Sequence, residues 1–364
     1  MFRILYPRNI SNDKRKSMDI YTNLVQSEIS KDFKLINFFP KKIKLFDFFS
    51  KINSDRLNRL FSHFWFLKRN KYKICHIIDH SYSHLLIYLP KYVKSIVTVH
   101  DIIPILIWKN KIDGLKRSKS PILFRFSMFC LKNASKIIAI SNNTKNDLVE
   151  FLNIDPDKIV VIKNSVSKIF KVYSLSEQKI YQVKNNFDNK CFNVIIFANN
   201  ELYKNTYNSL LACNEFNLKS KKKIIIHLVG RFNDLEMILK KSDFKCKINS
   251  YLSISNLDLA LLYNVCDALL FPSLYEGYGM PIIESMSCGT PVISSKRGAI
   301  PEISENNLIY CDPININSIS EKLLYLFSNE NLKSTLIHKG LIISKQYEEK
   351  NVSLEYSKLY KSIL

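Results

Sequence analysis

Ten short runs of β-branched and apolar residues, each followed by a helix-length segment, constrain the fold of this 364-residue chain more than any other feature. In the first half they are FRILY (2–6), KLINF (34–38), ICHII (74–78), SIVTV (95–99), KIIAI (136–140) and KIVVI (158–162). In the second half they are FNVIIF (192–197), KIIIHLV (223–229), DALLFP (267–272) and PVIS (291–294). Runs this short and this continuously apolar suit strands buried on both faces, the pattern of parallel sheets built from βα units. Two sets of them predict an α/β chain with two doubly wound domains. The length allows each domain its own core. The polar, strandless stretch 171–190 predicts the join, which gives an N-terminal domain over 1–170 and a C-terminal domain over 171–345. In 346–364, Val352, Leu354, Tyr356, Leu359, Tyr360 and Leu364 form a helical apolar stripe. That stripe predicts a last helix packing back on the first domain.

Composition narrows the class. The hydrophobic fraction is 46% and the charged fraction 24%, a globular balance rather than a disordered one. The eight cysteines form no CxxC pair and read as buried free thiols in a reducing compartment. No apolar run approaches the ~20 residues that span a bilayer, and MFRILYPRN lacks the apolar core of a signal peptide. A cytoplasmic protein is therefore expected.

The formal net charge is +22, and it is unevenly spread. Residues 1–170 hold 31 Lys and Arg against 13 Asp and Glu, whereas 171–364 hold 23 against 19. The first half is expected to face something anionic. No nucleic-acid-binding module is recognisable, so nucleic acid is not an expected partner. A membrane surface fits better, through residues 38–73. From Lys41 to Lys73 that segment carries ten Lys and Arg and two Asp. Its apolar residues include Phe46, Phe49, Leu57, Leu60, Phe61, Phe64 and Trp65, and the 57-60-61-64 spacing fits one helical face. Aromatics on one side and cations on the other suit a helix docking peripherally on anionic lipid at the inner face of the membrane. The competing expectation is a helix that packs those aromatics on the core.

The chemistry concentrates where the glycines do. Only seven glycines are present, and four fall within 277–298. A strand (267–272) leads into a loop with Gly277 and Gly279, then a helix from about Pro281, where proline suits the first helical position. A glycine just before a helix N-terminus leaves free N–H groups and the positive end of the dipole open to an anion such as a diphosphate. Glu276 and Glu284 bracket this loop at the carboxyl end of a strand, where open α/β sheets bind ligands. A carboxylate there can hold a vicinal diol of a ribose or a hexose.

The block from Glu276 to Glu284, followed by Cys288-Gly289-Thr290-Pro291-Val292 and Pro301-Glu302, resembles the retaining family 4 glycosyltransferases. TVHDIIP (98–104), SKIIAISNNTKNDL (135–148), KIVVIKNSV (158–166), ELYKN (201–205), LALLYNVCDALLFPS (259–273) and YCDP (310–313) are similar to the family's segments in the same order. Residues 8–73 match poorly. The resemblance implies a GT-B fold, two Rossmann-like domains facing a central cleft. It also implies transfer of a sugar from a nucleotide-diphospho-sugar to a saccharide or lipid-linked acceptor, with retention at the anomeric carbon, in the synthesis of a surface polysaccharide or glycolipid. By the same resemblance Glu284 holds the donor ribose, Glu276 contacts the donor sugar, and the backbone at Gly277, Tyr278, Gly279 and Met280 approaches the sugar and distal phosphate. His100 matches the family's cleft histidine beside the anomeric carbon, and Lys204 its donor-phosphate lysine. Asp79 and His80 are expected on the acceptor side. A lysine and a helix N-terminus neutralise a leaving diphosphate without a metal, so neither a cofactor nor a metal is expected. His76, His80 and His84 lack the carboxylates of a metal cage. The chain departs from the family at Ala198, where many relatives carry an arginine, and in the glycine-free loop after the first strand.

Other classes fit less well. The Asp-x-Asp letters of 155–157 precede a strand and read as a turn, which argues against a metal-dependent GT-A transferase. A nicotinamide dehydrogenase would need G-x-G-x-x-G after the first strand. A GT-B sugar-nucleotide epimerase would share the architecture but lacks the Glu-x7-Glu block in this form. A non-catalytic carbohydrate- or nucleic-acid-binding relative is the other alternative, suggested by Ala198 and by the charge; donor turnover separates it from an enzyme. No carboxylate nucleophile is evident in the first half, so the expected path is front-face, the leaving phosphate helping to deprotonate the acceptor hydroxyl.

Overall fold

The structure is a computed structural model that describes residues 2–9, 16–29, 32–44, 51–69, 71–241 and 244–364. Two compact units emerge. The first holds residues 1–109, 117–165 and 349–364, and the second holds 110–116 and 166–348. The segment 171–190 is part of the second unit. It contains the helix Leu175–Lys184, started by a capping box between Ser174 and Glu177.

The first unit is built on a six-stranded sheet of β1 (Arg3–Pro7), β2 (Lys34–Phe38), β3 (Ile74–Ile77), β4 (Lys94–Val99), β5 (Lys136–Ala139) and β6 (Ile159–Val161), in the order β2-β1-β3-β4-β5-β6. Every pairing is parallel. The strand order reverses between β1 and β3. The core joins Ile4, Tyr6, Ile74, Ile96 and Ile138 from the sheet to Val25 and Ile29 from the helix Lys16–Ile29 and to Val352, Tyr356, Leu359 and Tyr360 from the last helix, Glu349–Ser362. The last helix is thus part of this unit's core, tied in by polar groups as well as apolar ones. The Tyr360 hydroxyl lies 2.8 Å from that of Tyr6 and 2.6 Å from His76 Nδ1. His76 Nε2 reaches Thr98 at 2.8 Å. Burial drops the His76 pKa to about 3, so this imidazole stays neutral.

The second unit repeats the plan with β7 (Phe192–Ala198), β8 (Ile224–Gly230), β9 (Lys247–Tyr251), β10 (Ala268–Phe271), β11 (Val292–Ser295) and β12 (Ile309–Cys311), all parallel, in the order β12-β11-β10-β7-β8-β9. Here the order reverses between β7 and β10. β9 and β12 were not expected from the sequence, and both are edge strands. The turn Cys288-Gly289-Thr290-Pro291 has a local purpose. Gly289 takes φ +75° just past the end of the helix Met280–Ser287. Thr290 then donates its hydroxyl to the Tyr263 carbonyl at 2.6 Å and its N–H to Ser285 at 2.9 Å, which aims the chain into β11.

Residues 38–73 differ from the single helical face read in the sequence. The helix Lys51–Phe61 stops before His63, and a second, Phe64–Arg69, follows. Leu57, Leu60 and Phe64 are half-buried, while Phe61 and Trp65 stay exposed at 41% and 64%. Arg59 turns inward, its guanidinium 4.5 Å from the centre of the Tyr82 ring and 3.1 Å from the Ser81 carbonyl. Phe46 and Phe49 lie outside the described residues. Among the described residues no helix is long and apolar enough to cross a membrane.

Candidate functional site

In an open parallel sheet the loops at the carboxyl ends of the strands part where the strand order reverses, and a ligand fits between them. In the second unit that point lies between β7 and β10. The loop after β7 carries Lys204 and the loop after β10 carries Glu276. The ammonium of Lys204 stands 2.8 Å from Glu276 Oε1 and 2.9 Å from Oε2. Their side chains are 22% and 7% exposed, so the pair is largely screened from water.

Both loops are held by hydrogen bonds to backbone carbonyls. Asn205 adopts the left-handed conformation at φ 59° and donates its side-chain amide to the carbonyls of Pro272 at 2.9 Å and Pro313 at 2.6 Å. The Leu274 N–H donates to the Tyr203 carbonyl at 2.7 Å. Behind Glu276 lies Gly298, at φ +56°. A Cβ there would stand 2.4 Å from the Glu276 carbonyl oxygen and 2.9 Å from its nitrogen, so only glycine allows this approach. The N–H of Ala299 donates to that carbonyl at 3.0 Å.

Gly279, at φ +102°, is the N-cap of the helix Met280–Ser287, and Pro281 occupies its first turn. The helix starts beside Glu276 in sequence; Pro281 has no N–H and that of Ile282 turns back to the Gly279 carbonyl at 2.9 Å, so the helix presents the positive end of its dipole there. Tyr278 is buried, its ring 6.3 Å from and nearly perpendicular to that of Tyr347. Glu284 projects half-buried from the second turn. Its Oε2 lies 3.3 Å from the Tyr263 hydroxyl, which is equally close to the Pro281 carbonyl. Burial pushes the Glu284 carboxyl up to about 7, against a lowering from the Tyr263 hydrogen bond.

The structure places Lys204, Glu276, Gly277, Tyr278 and Gly279 on neighbouring loops of one unit and Met280 and Glu284 on the helix that follows, with Lys204 and Glu276 in direct contact; the sequence reading had named all seven. It missed Tyr263, Asn205 and Gly298. Asn205 stood inside a quoted segment as the residue after Lys204, and Gly298 was counted in the glycine cluster without a role. Three further cations of the second unit, Arg231, Lys296 and Arg297, are spread apart. Arg297 is paired with Asp113 at 2.8 Å. Lys296 lies against Tyr310. Arg231 follows Gly230, the register partner of Ala198, and lines a cavity of about 310 Å³ with Asn233, Glu236 and Ser250.

In the first unit the strand order reverses between β1 and β3, and the residues after these strands meet. The Asn9 amide donates to Asp79 Oδ2 at 3.2 Å. Asp79 also accepts the Ser81 N–H at 2.9 Å, which caps the 3₁₀ helix His80–Tyr88. His100 follows β4. Its Nε2 lies 3.1 Å from the Ile78 carbonyl and so carries the proton. The His100 N–H faces His80 Nδ1 at 3.4 Å, and the Tyr21 ring packs edge-on at 4.9 Å. His100, His80 and Asp79 therefore form one cluster. His76 and His84 do not join it: each has both ring nitrogens hydrogen-bonded elsewhere.

Comparison with known proteins fits this arrangement. Residues 177–341 match the family described as Glycosyl transferases group 1, and residues 31–168 match Glycosyltransferase Family 4. The serotype-specific mannosyltransferase WbdA of Escherichia coli is 27% identical over 220 residues, 58% of this chain and 26% of that protein. The O-antigen chain mannosyltransferase RfbU of Salmonella typhimurium is 27% identical over 227 residues, 62% of this chain and 58% of that protein. The chain therefore spans less than two thirds of the length of either relative. Among solved structures, HepE of Anabaena in complex with UDP-glucose is similar with a TM-score of 0.76 and 14% identity, covering 100% of both chains. That likeness establishes the GT-B fold.

Proposed function

We propose that this chain, a glycosyltransferase by its two family domains and built on the GT-B fold, moves a sugar from a nucleotide-diphospho-sugar to a saccharide or lipid-linked acceptor, with retention, in the assembly of a surface polysaccharide. The observation that carries the reading is the meeting of Lys204, Glu276 and the Gly279-capped helix at the reversal point of the second sheet. One cation beside the positive end of a helix suits a diphosphate. In this reading Glu276 accepts hydrogen bonds from the sugar, and Glu284, in the second turn of the helix, from the ribose. The mannosyltransferases among the relatives and the UDP-glucose held by HepE support a sugar-nucleotide donor.

In this reading the leaving phosphate departs toward Lys204 and the helix N-terminus, and one of its oxygens takes the proton of the attacking hydroxyl on the same face. No resident metal is invoked, because Lys204 supplies the positive charge. In the first unit, His100, its Nε2–H held by the Ile78 carbonyl, and the neighbouring Asp79 and His80 are the groups this reading assigns to the reaction.

The test is binding of UDP-, GDP-, ADP- and CMP-sugars by the purified protein and by Glu284→Ala. One donor class should bind, and the variant should weaken it by about 1–3 kcal/mol, the scale of a lost charge-assisted hydrogen bond. Unchanged affinity in a folded variant would remove Glu284 from the site. Turnover of the bound donor that stops with EDTA and returns with manganese would replace this mechanism by a metal-dependent one.

A further inference from the structure

Lys204 holds both oxygens of Glu276 on a single ammonium, and the two loops that carry the pair are stapled to each other through Asn205 and Tyr203. Gly298 and Ala299 fix the Glu276 backbone from behind. The carboxylate therefore stays beside whatever Lys204 binds, and its charge, only 7% exposed, is poorly screened.

A transferase must hold two species in turn. In the donor the distal phosphate is a diester with one negative charge, and the sugar brings hydroxyl groups that can donate to Glu276. In the nucleoside diphosphate left after transfer, the sugar is gone and the terminal phosphate carries a further negative charge with no hydroxyl beside it. The same carboxylate that attracts the first species repels the second.

We propose that Glu276 discriminates donor from product. It competes with the terminal phosphate of a nucleoside diphosphate for Lys204, and the product leaves as the Lys204–Glu276 pair re-forms. This rests on the reading of both residues as donor-site groups, and it adds a specificity role to the carboxylate.

Calorimetric titration of UDP, GDP and ADP at pH 8 tests it, with thermal melting to confirm that each variant folds. Glu276→Gln should bind the preferred diphosphate about tenfold more tightly than the wild type, the scale of removing one partly screened charge. Glu276→Asp, which keeps the charge, should not. The gain should vanish when Lys204→Gln is added. If Glu276→Gln does not fold, Glu276→Ala removes the same charge and carries the same expectation. A folded, neutral variant that binds the diphosphate no more tightly than the wild type overturns the inference and leaves the donor site standing. If neither the wild type nor the neutral variant binds any of the three, the donor-site reading falls, and the inference with it.

Discussion

Glu284 shows how a single residue's surroundings set its chemistry. A carboxyl group pushed up to about 7 by burial favours its protonated form in the folded chain. Ionising it therefore costs stability progressively as pH rises from the ordinary carboxylate range through 7, and the cost is complete above that. Ribose hydroxyls donating to the carboxylate would reverse the preference. Nucleotide-sugar affinity should then rise with pH between 6 and 8, and be about tenfold weaker at pH 6 than on the plateau. Glu284→Gln should flatten the profile. Calorimetry with a nucleotide-diphospho-sugar is the suitable measurement, because its phosphates do not titrate in this range. A wild-type profile as flat as the variant's would mean that Glu284 does not meet the ribose as an anion.

Glu276, Gly279 and Glu284 were legible in the sequence as a local pattern, a strand, a glycine loop and a helix start within a few residues of one another, and Lys204, after a different strand, only through the resemblance of ELYKN to a family segment. Tyr263 and Gly298 were not. Tyr263 looks like one more apolar position in its helix until tertiary contact sets its hydroxyl against Glu284. Gly298 is needed because a loop from another strand passes behind Glu276.

At the scale of elements, the sheet-interior strands were readable and two edge strands were not. β9 is KINSY, with polar residues facing water on an edge, so it lacks the continuous apolar run that marks a strand buried on both faces. β12 is three residues long. The helix break near Ser62 and His63 was hidden because neither residue is a helix breaker. His63 is buried there, its Nε2 lying 2.9 Å from the Arg8 carbonyl, a contact no local pattern announces. The last helix was expected to pack on the first unit from its apolar stripe, and the hydroxyl of Tyr360 adds buried hydrogen bonds to that packing. Tyr360→Phe should destabilise the chain by about 1–3 kcal/mol in urea unfolding, since it leaves buried His76 and Tyr6 short of a partner. No loss of stability would mean that the hydroxyl pair contributes nothing.

At the scale of the whole molecule, the excess of positive charge belongs to residues 1–170, and Phe61 and Trp65 stand exposed among those residues. Binding to vesicles rich in anionic lipid is expected at low salt, and it should weaken as salt shortens electrostatic reach to about 8 Å at physiological strength. Changing Lys41, Lys42 and Lys44 to Glu should weaken it further in a sedimentation assay. Indifference of the wild type to such vesicles at low salt would leave a soluble acceptor as the better reading of the charge.

The placement of Glu349–Ser362 in the first unit sets an order of events during synthesis. The ribosome makes six strands of that unit first, then the whole of residues 166–348, and only then the helix that supplies Val352, Tyr356, Leu359 and Tyr360 to the first core. Until that helix emerges, the apolar faces of the helix Lys16–Ile29 and of β1 wait uncovered. At about 5–20 residues per second that wait is on the order of ten seconds or more. The second unit, continuous apart from 110–116, can close in the meantime, so the half made first is the half finished last and the one most in need of a chaperone's protection.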